Sequence, residues 1–102
     1  MHYGAFRLSS VLILFLFVIM SCSPSPEEAF KEAVQENSIV AYQNFITKYK
    51  ESSLVKDAQE KIYGLAYFDA EREDSLSGYR QFLEKFPEGQ LTQKVVRRIK
   101  EL

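Results

Sequence analysis

Few side chains in this 102-residue sequence could perform chemistry, because the reactive types are scarce. Cys22 is the only cysteine and His2 is the only histidine, so the chain has no internal disulfide and no thiolate metal cluster. The sequence also lacks a glycine-rich phosphate loop and a D-x-D-x-D-G calcium loop, and its paired serines have no base partner. We therefore predict no metal ion and no cofactor.

The remaining candidates for catalysis are two carboxylate pairs at helical spacing, Glu32 with Glu36 and Asp69 with Glu73. Acid–base catalysis would need one carboxyl group of a pair to be desolvated, so that the two pKa values separate. Both pairs lie opposite the apolar stripes of predicted helices, where solvent surrounds them. The sequence thus predicts a protein that is not an enzyme, with no catalytic residue and no small-molecule substrate.

The length of the chain limits the number of domains, and its charge limits the class of partner. The chain is long enough for one domain. Its 13 Lys and Arg residues nearly balance 14 Asp and Glu residues, for a formal net charge of −1. Nucleic-acid binding usually needs a basic excess, so we predict no nucleic-acid partner.

Residues 1–21 have the pattern of a secretory signal. Arg7 precedes an unbroken apolar run over residues 11–20, and no acid occurs before Glu27. A membrane-spanning helix needs about 20 apolar residues, roughly twice the length of this run. The pattern favours a cleaved signal peptide; the alternative is an uncleaved membrane anchor.

The residues that end this run, IMSC at positions 19–22, resemble the lipobox of bacterial lipoproteins. In that family the signal is cut before the cysteine, which is acylated. The resemblance implies a lipid anchor at Cys22, a Ser/Pro tether over residues 22–26 and a place in the cell envelope. In the sorting rule known for enteric bacteria, a residue other than Asp after the cysteine, here Ser23, implies the outer membrane, facing the periplasm. The alternative is a buried free cysteine.

The rest of the chain, residues 27–102, is a tandem repeat with a period of 37 residues. A shift of 37 positions gives 11 identities without a gap, where chance would give about 2–3. The units cover about residues 26–62 and 63–102. The identical pairs are Ala29/Ala66, Ala33/Ala70, Glu36/Glu73, Ser38/Ser75, Tyr42/Tyr79, Phe45/Phe82, Lys48/Lys85, Glu51/Glu88, Leu54/Leu91, Ile62/Ile99 and Leu65/Leu102.

The apolar positions of each unit have the spacing of one-sided helices. Ser25 before Pro26 predicts a capped helix over about 26–36, and Asn37-Ser38 and Asp74-Ser75 open the second and fourth helices. A third runs over about 53–73, and a fifth begins near residue 90. The predicted fold class is all-α, with about five helices. Gly64, inside the third helix, predicts a close helix crossing or a slight bend.

The two units, AFKEAVQENSIVAYQNFITKYKESSLVKDA and AYFDAEREDSLSGYRQFLEKFPEGQLTQKV, resemble the tetratricopeptide-like (TPR-like) repeats of periplasmic and outer-membrane assembly lipoproteins. The resemblance implies a short right-handed helical-repeat array that acts as a scaffold or adaptor between proteins. It also implies a role near outer-membrane protein assembly or envelope maintenance. The alternative is a structural lipoprotein that acts as a homo-oligomer.

Two groups of residues are candidates for partner binding. Phe30, Tyr63 and Tyr67 form a second apolar stripe, which in helical repeats faces a concave groove. The alternative is packing against the first helix. The last helix is amphipathic and basic, and its surface suits a protein partner, anionic lipid or solvent alone. Its candidate residues are Lys94, Val96, Arg97, Arg98 and Lys100.

The end of the last helix adds a hypothesis of association. Leu102 continues the apolar stripe of Val95 and Ile99, and helical repeats usually finish with a polar cap. An unfinished apolar end suggests that two copies dock or that this helix completes a larger partner. Burial of Val95 and Ile99 within a stable monomer would contradict it.

Overall fold

A computed structural model describes residues 23–102 of the chain. Over this range the chain forms five α-helices and no strand, which confirms the predicted all-α fold class. The helices are α1 (Pro26–Glu36), α2 (Ile39–Lys48), α3 (Val55–Glu73), α4 (Leu76–Lys85) and α5 (Gln90–Glu101). The predicted signal peptide, and Cys22 with its predicted acylation, lie outside the described residues.

Serine side chains cap α1, α2 and α4 at the predicted positions. The Ser25, Ser38 and Ser75 hydroxyls each accept a hydrogen bond from the backbone N–H three residues on. Asn37 and Asp74 end α1 and α3 in the left-handed conformation, with φ of 51° and 48°. Short Asn and Asp side chains tolerate this conformation, so the two units turn at the same place.

The buried core consists of two clusters that occupy equivalent sequence positions, 37 residues apart. Helix α3 contributes to both, the first through its N-terminal half and the second through its C-terminal half, so it joins the two units. Buried residues of the first cluster are Ala33, Ala41, Tyr42, Phe45 and Ala58, and their buried equivalents are Ala70, Gly78, Tyr79, Phe82 and Val95.

Each helix packs mainly on its neighbours along the chain. Among residues 23–102, no helix has the length and hydropathy needed to cross a membrane. The close crossing expected at Gly64 is wrong, since a Cβ atom there would meet nothing within 4 Å. This face of α3 is open rather than pressed against another helix.

Candidate partner-binding groove

An open groove of about 580 Å³ lies between the C-terminal half of α3, the start of α4 and α5. We call it the α3–α5 groove. It brings together one of the predicted aromatic residues and three of the predicted basic residues. Its lining consists of Tyr67, Glu71, Asp74, Tyr79, Lys94, Val95, Arg97, Arg98 and Glu101.

A hydrogen-bonded network centred on Asp74 forms part of the groove lining. Arg98 holds this carboxylate with two hydrogen bonds, Nε to Oδ1 at 3.0 Å and Nη2 to Oδ2 at 2.8 Å. The Tyr79 hydroxyl donates to Oδ1 at 2.6 Å. These donors, Arg98 first, lower the pKa of Asp74 to about 2, and acceptance by Asp74 raises the pKa of Tyr79.

This network pairs one of the three basic residues of α5 that line the groove and leaves the other two outside it. Arg98 also pairs with Glu101, at 3.1 Å, so its charge is balanced inside the molecule. Lys94 and Arg97 are exposed on the groove wall and form no ion pair within residues 23–102. Two cations are therefore left to meet a partner in the groove.

The other two candidate residues of α5 lie outside the groove lining. Lys100 is exposed and Val96 is half-buried. Val95 is 1% exposed in the second core cluster, and Ile99 packs against the same cluster. The apolar stripe that suggested an unfinished end is thus largely used inside the chain, although Leu102 is 56% exposed.

The three aromatic candidates do not share one surface. Tyr67 lines the groove, and its ring meets the edge of Phe82 with 6.1 Å between centroids. The neighbouring Glu71 carboxylate raises the pKa of Tyr67 by hydrogen bonding. Phe30 occupies the equivalent position in the first unit, but it packs on Phe45 at 5.4 Å and lies away from the groove.

Tyr63 has an internal structural role that the sequence did not predict. Its ring stacks on Phe82 at 5.7 Å, so it packs on α4 rather than on α1. Its hydroxyl accepts from the Thr92 N–H at 2.9 Å and lies 3.1 Å from Thr92 Oγ1. Gly89, with φ of 133°, leaves room for this hydroxyl, since a Cβ atom there would overlap it. Tyr63 therefore fixes the start of α5.

The sequence did not reveal the roles of two residues of the second unit, although the repeat alignment carried a signal for both. Thr92 is 2% exposed and donates its hydroxyl to the Phe86 carbonyl at 2.9 Å. It stands where the first unit has Val55, and Asp74 stands where the first unit has Asn37. Each is a departure from the repeat, and each organises the second unit.

The groove is suited to recognition by charge and shape. Its lining holds three acidic and three basic side chains, and the part of the chain that the structure describes has no cluster of His, Cys, Asp or Glu that could hold a metal ion. The carboxylates of the two acid pairs, Glu32 with Glu36 and Asp69 with Glu73, are all exposed. The arrangement can bind a segment of another molecule that presents carboxylates.

Comparisons of the chain with protein-family models, with curated proteins and with solved structures found no match.

Proposed function

We propose that this protein is a membrane-anchored, non-catalytic interaction lipoprotein of the bacterial cell envelope. It serves as a scaffold or adaptor near outer-membrane protein assembly or envelope maintenance. Its TPR-like helices present the α3–α5 groove to a partner protein, and acylated Cys22 holds it on the outer membrane, facing the periplasm.

The observation that carries the proposal is that two cations without an ion pair among the described residues lie beside an aromatic side chain. Lys94 and Arg97 lie one helical turn apart, beside the half-buried ring of Tyr67. Arg and aromatic residues are enriched where proteins bind one another. The partner segment that fits carries carboxylates one turn apart and an apolar side chain for Tyr67.

The architecture supports a scaffold. The helices pack in chain order, and the two cores repeat at 37 residues, as in arrays that stack repeats into extended binding surfaces. The proposed Ser/Pro tether is also held against the helical domain, because the Tyr49 hydroxyl donates a hydrogen bond to the Pro24 carbonyl at 3.0 Å. The domain is thus fixed close to the residue that carries the proposed anchor.

The partner site is tested by charge reversal in the full-length, tagged chain. Bacterial cells expressing it are cross-linked, and the envelope proteins that copurify are identified by mass spectrometry. Lys94→Glu with Arg97→Glu should reduce recovery of the linked partner at least tenfold. The matched control is Arg80→Glu with Lys85→Glu, because both residues are exposed on α4 outside the groove lining. An equal loss in both variants, or recovery of no distinct envelope protein, would refute the partner site.

The anchor is tested separately with Cys22→Ala in the full-length chain. Labelled fatty acid should be incorporated into the parent protein and not into the variant. Ser21 and Ser23 flank the site, so Ser23→Ala serves as a control that keeps the cysteine. Equal fatty-acid labelling of Cys22→Ala and the parent protein would contradict lipid anchoring at Cys22.

A further inference from the structure

The segment that ends α2 differs from the equivalent segment that ends α4 at the point where the tether meets the domain. The two segments cover residues 47–52 and 84–89, with the sequences TKYKES and EKFPEG. Tyr49 has a phenolic hydroxyl, which donates to the Pro24 carbonyl at 3.0 Å. Its equivalent in the second unit, Phe86, has no hydroxyl. The first segment therefore holds the tether through a contact that phenylalanine could not make.

The same two segments carry opposite net charge. Lys48 and Lys50 against Glu51 give residues 47–52 a formal charge of +1, whereas one lysine against two glutamates gives residues 84–89 a charge of −1. The three charged side chains of the first segment are exposed, and they form no ion pair within residues 23–102. They are thus available to charged groups outside the molecule.

An open depression of about 590 Å³ lies on this segment and is lined by Pro26 and residues 47–52. We call it the tether-side surface. The Lys48 ammonium lies 5.5 Å from the centroid of the half-buried Tyr49 ring. Tyrosine and lysine both combine an apolar body with a polar tip, which suits them to the boundary between a membrane and water.

The position of Pro24 limits how far this surface can lie from an acyl group on Cys22. Two residues of chain span at most about 7 Å. The headgroup layer on one side of a bilayer has a similar thickness, about 5–8 Å. The prolines at 24 and 26 also fix two φ angles of the short tether. A chain anchored at Cys22 would therefore keep the Tyr49 hydroxyl near the level of the headgroups.

We propose that the tether-side surface lies against the phospholipid headgroups of the membrane that carries the anchor, and that the hydrogen bond from Tyr49 to Pro24 holds it there. This inference rests on the acylation of Cys22 in the proposed function. The contact leaves the partner site free, because the tether-side surface and the α3–α5 groove share no residue.

The charges of this surface indicate the kind of headgroup that it meets. Lys48 and Lys50 suit the lipid phosphates, which accept charge-assisted hydrogen bonds. Glu51 lies in the same segment, and Glu27 and Glu28 lie in the first turn of α1 beside the tether, so acidic side chains meet the membrane as well. A zwitterionic headgroup, which presents an ammonium group beside its phosphate, has a partner for both signs.

The orientation is tested with the acylated full-length chain in vesicles of phosphatidylethanolamine and phosphatidylcholine, with a nitroxide on some of the headgroups. A fluorescent thiol label is placed at Glu51→Cys or at Glu88→Cys. These positions are a matched pair, because the same exposed residue stands at equivalent sites of the two segments. The label at position 51 should be quenched at least about threefold more than the label at position 88, since the nitroxide acts near the headgroup layer. Equal quenching of the two labels would overturn the proposal.

The state of the anchor is read separately in the same preparations, by incorporation of labelled fatty acid into the parent chain. A chain that is not acylated would refute the proposed anchor and, with it, this inference. An acylated chain whose two labels are quenched equally would refute this inference alone.

The headgroup contact is tested by charge reversal. Lys48→Glu with Lys50→Glu should lower the quenching at position 51 at least about twofold, because the new carboxylates repel phosphate, while the acyl chains keep the protein on the vesicle. The matched control is Arg80→Glu with Lys85→Glu, which reverses two exposed charges of the second unit and should leave the quenching unchanged. Circular dichroism checks that each variant is folded. An equal effect of the two pairs, or no effect of the first, would overturn the contact.

The role of the hydrogen bond is tested with Tyr49→Phe, which gives the first unit the residue of the second. Without the hydroxyl that holds Pro24, the quenching at position 51 should fall toward that at position 88, while acylation is unchanged. An unchanged ratio of the two labels would overturn the role proposed for the Tyr49 hydroxyl.

Discussion

The two 37-residue units share a buried tyrosine that ties each helix pair together, but they tie it to different residues. In the first unit the Tyr42 hydroxyl donates to Asn37 Oδ1 at 3.0 Å. In the second, the Tyr79 hydroxyl donates to Asp74 Oδ1 at 2.6 Å. The amide is neutral and ends the network, whereas the carboxylate attracts Arg98 from the next helix. The second unit thus gains an ion pair between α5 and the turn that precedes α4.

The outer surfaces differ more than the cores. Asp57, Glu60 and Lys61 of α3 stand at the positions that Lys94, Arg97 and Arg98 occupy on α5. The equivalent face is therefore mainly acidic in the first unit and basic in the second. The two cores have the same apolar pattern, whereas this face differs in sign, so the units differ most on the face that lines the α3–α5 groove in the second unit.

The largest effects are expected from removing the central phenylalanine of either core. Phe45 and Phe82 are each 4% exposed, so Phe45→Ala and Phe82→Ala should each lower the free energy of unfolding by about 3–5 kcal/mol. Phe82→Ala should cost more, by about 0.5–1.5 kcal/mol, because Tyr63 packs on its ring in addition to the two aromatic neighbours that each phenylalanine has. Urea denaturation measures both. Equal costs would show that the additional aromatic contacts add nothing.

A smaller effect is expected when the second unit receives the residue of the first. Thr92→Val places the equivalent of Val55 in the core and removes the hydroxyl that donates to the Phe86 carbonyl. The loss of this buried hydrogen bond should cost about 1–3 kcal/mol in urea denaturation. The reverse change, Val55→Thr, gives the first unit a hydroxyl and should not stabilise it. A neutral Thr92→Val would show that Tyr63 alone fixes α5.

Most of the fold was predictable from the sequence because helix caps and apolar spacing are local signals. The serine caps, the turns at Asn37 and Asp74 and the five helices follow from residues that are neighbours in the chain. The use of Tyr63 was not predictable, since its partner Thr92 is 29 residues away and is chosen by packing. The exposure of Phe68 likewise depends on which side of α3 its neighbours cover.

Some of the residues that line the groove could be selected for the same reason. Tyr67, Lys94 and Arg97 were candidates from helical periodicity, which places residues on a face of one helix, but the sequence did not show that they line one groove. Periodicity cannot show that Arg98 turns toward Asp74, because the two residues lie on different helices. The sequence shows which residues are charged, but tertiary contacts decide which of those charges are paired.

The network around Asp74 should make the stability of the second unit depend on acid in a way that the first unit does not share. The pKa of Asp74 is lowered to about 2, from about 3.9 in an unfolded chain. Its contribution to stability is therefore complete above about pH 5 and is lost as the pH falls through about 4 toward 2. Asp74→Asn should show a smaller loss of stability in this range, measured by urea denaturation at several pH values. Asn37→Asp should gain little acid-dependent stability, because the first unit has no arginine equivalent to Arg98. If Asp74→Asn and the parent chain lost equal stability on acidification, the network around Asp74 would be excluded as the source of the acid response.

The smallest effect is expected at the one buried core position where the first unit has alanine and the second has glycine. Gly78 lies inside α4, and Ala41 shows that a methyl group fits the equivalent site in α2. A Cβ atom at Gly78 would meet the end of the Glu73 side chain, which is exposed and flexible and can turn into solvent. Gly78→Ala should therefore raise the free energy of unfolding by about 0.5–1 kcal/mol, since alanine loses less backbone entropy in a helix. A loss of stability in urea denaturation would mean that Glu73 is held in place, and that the two helix pairs are packed less alike than their cores indicate.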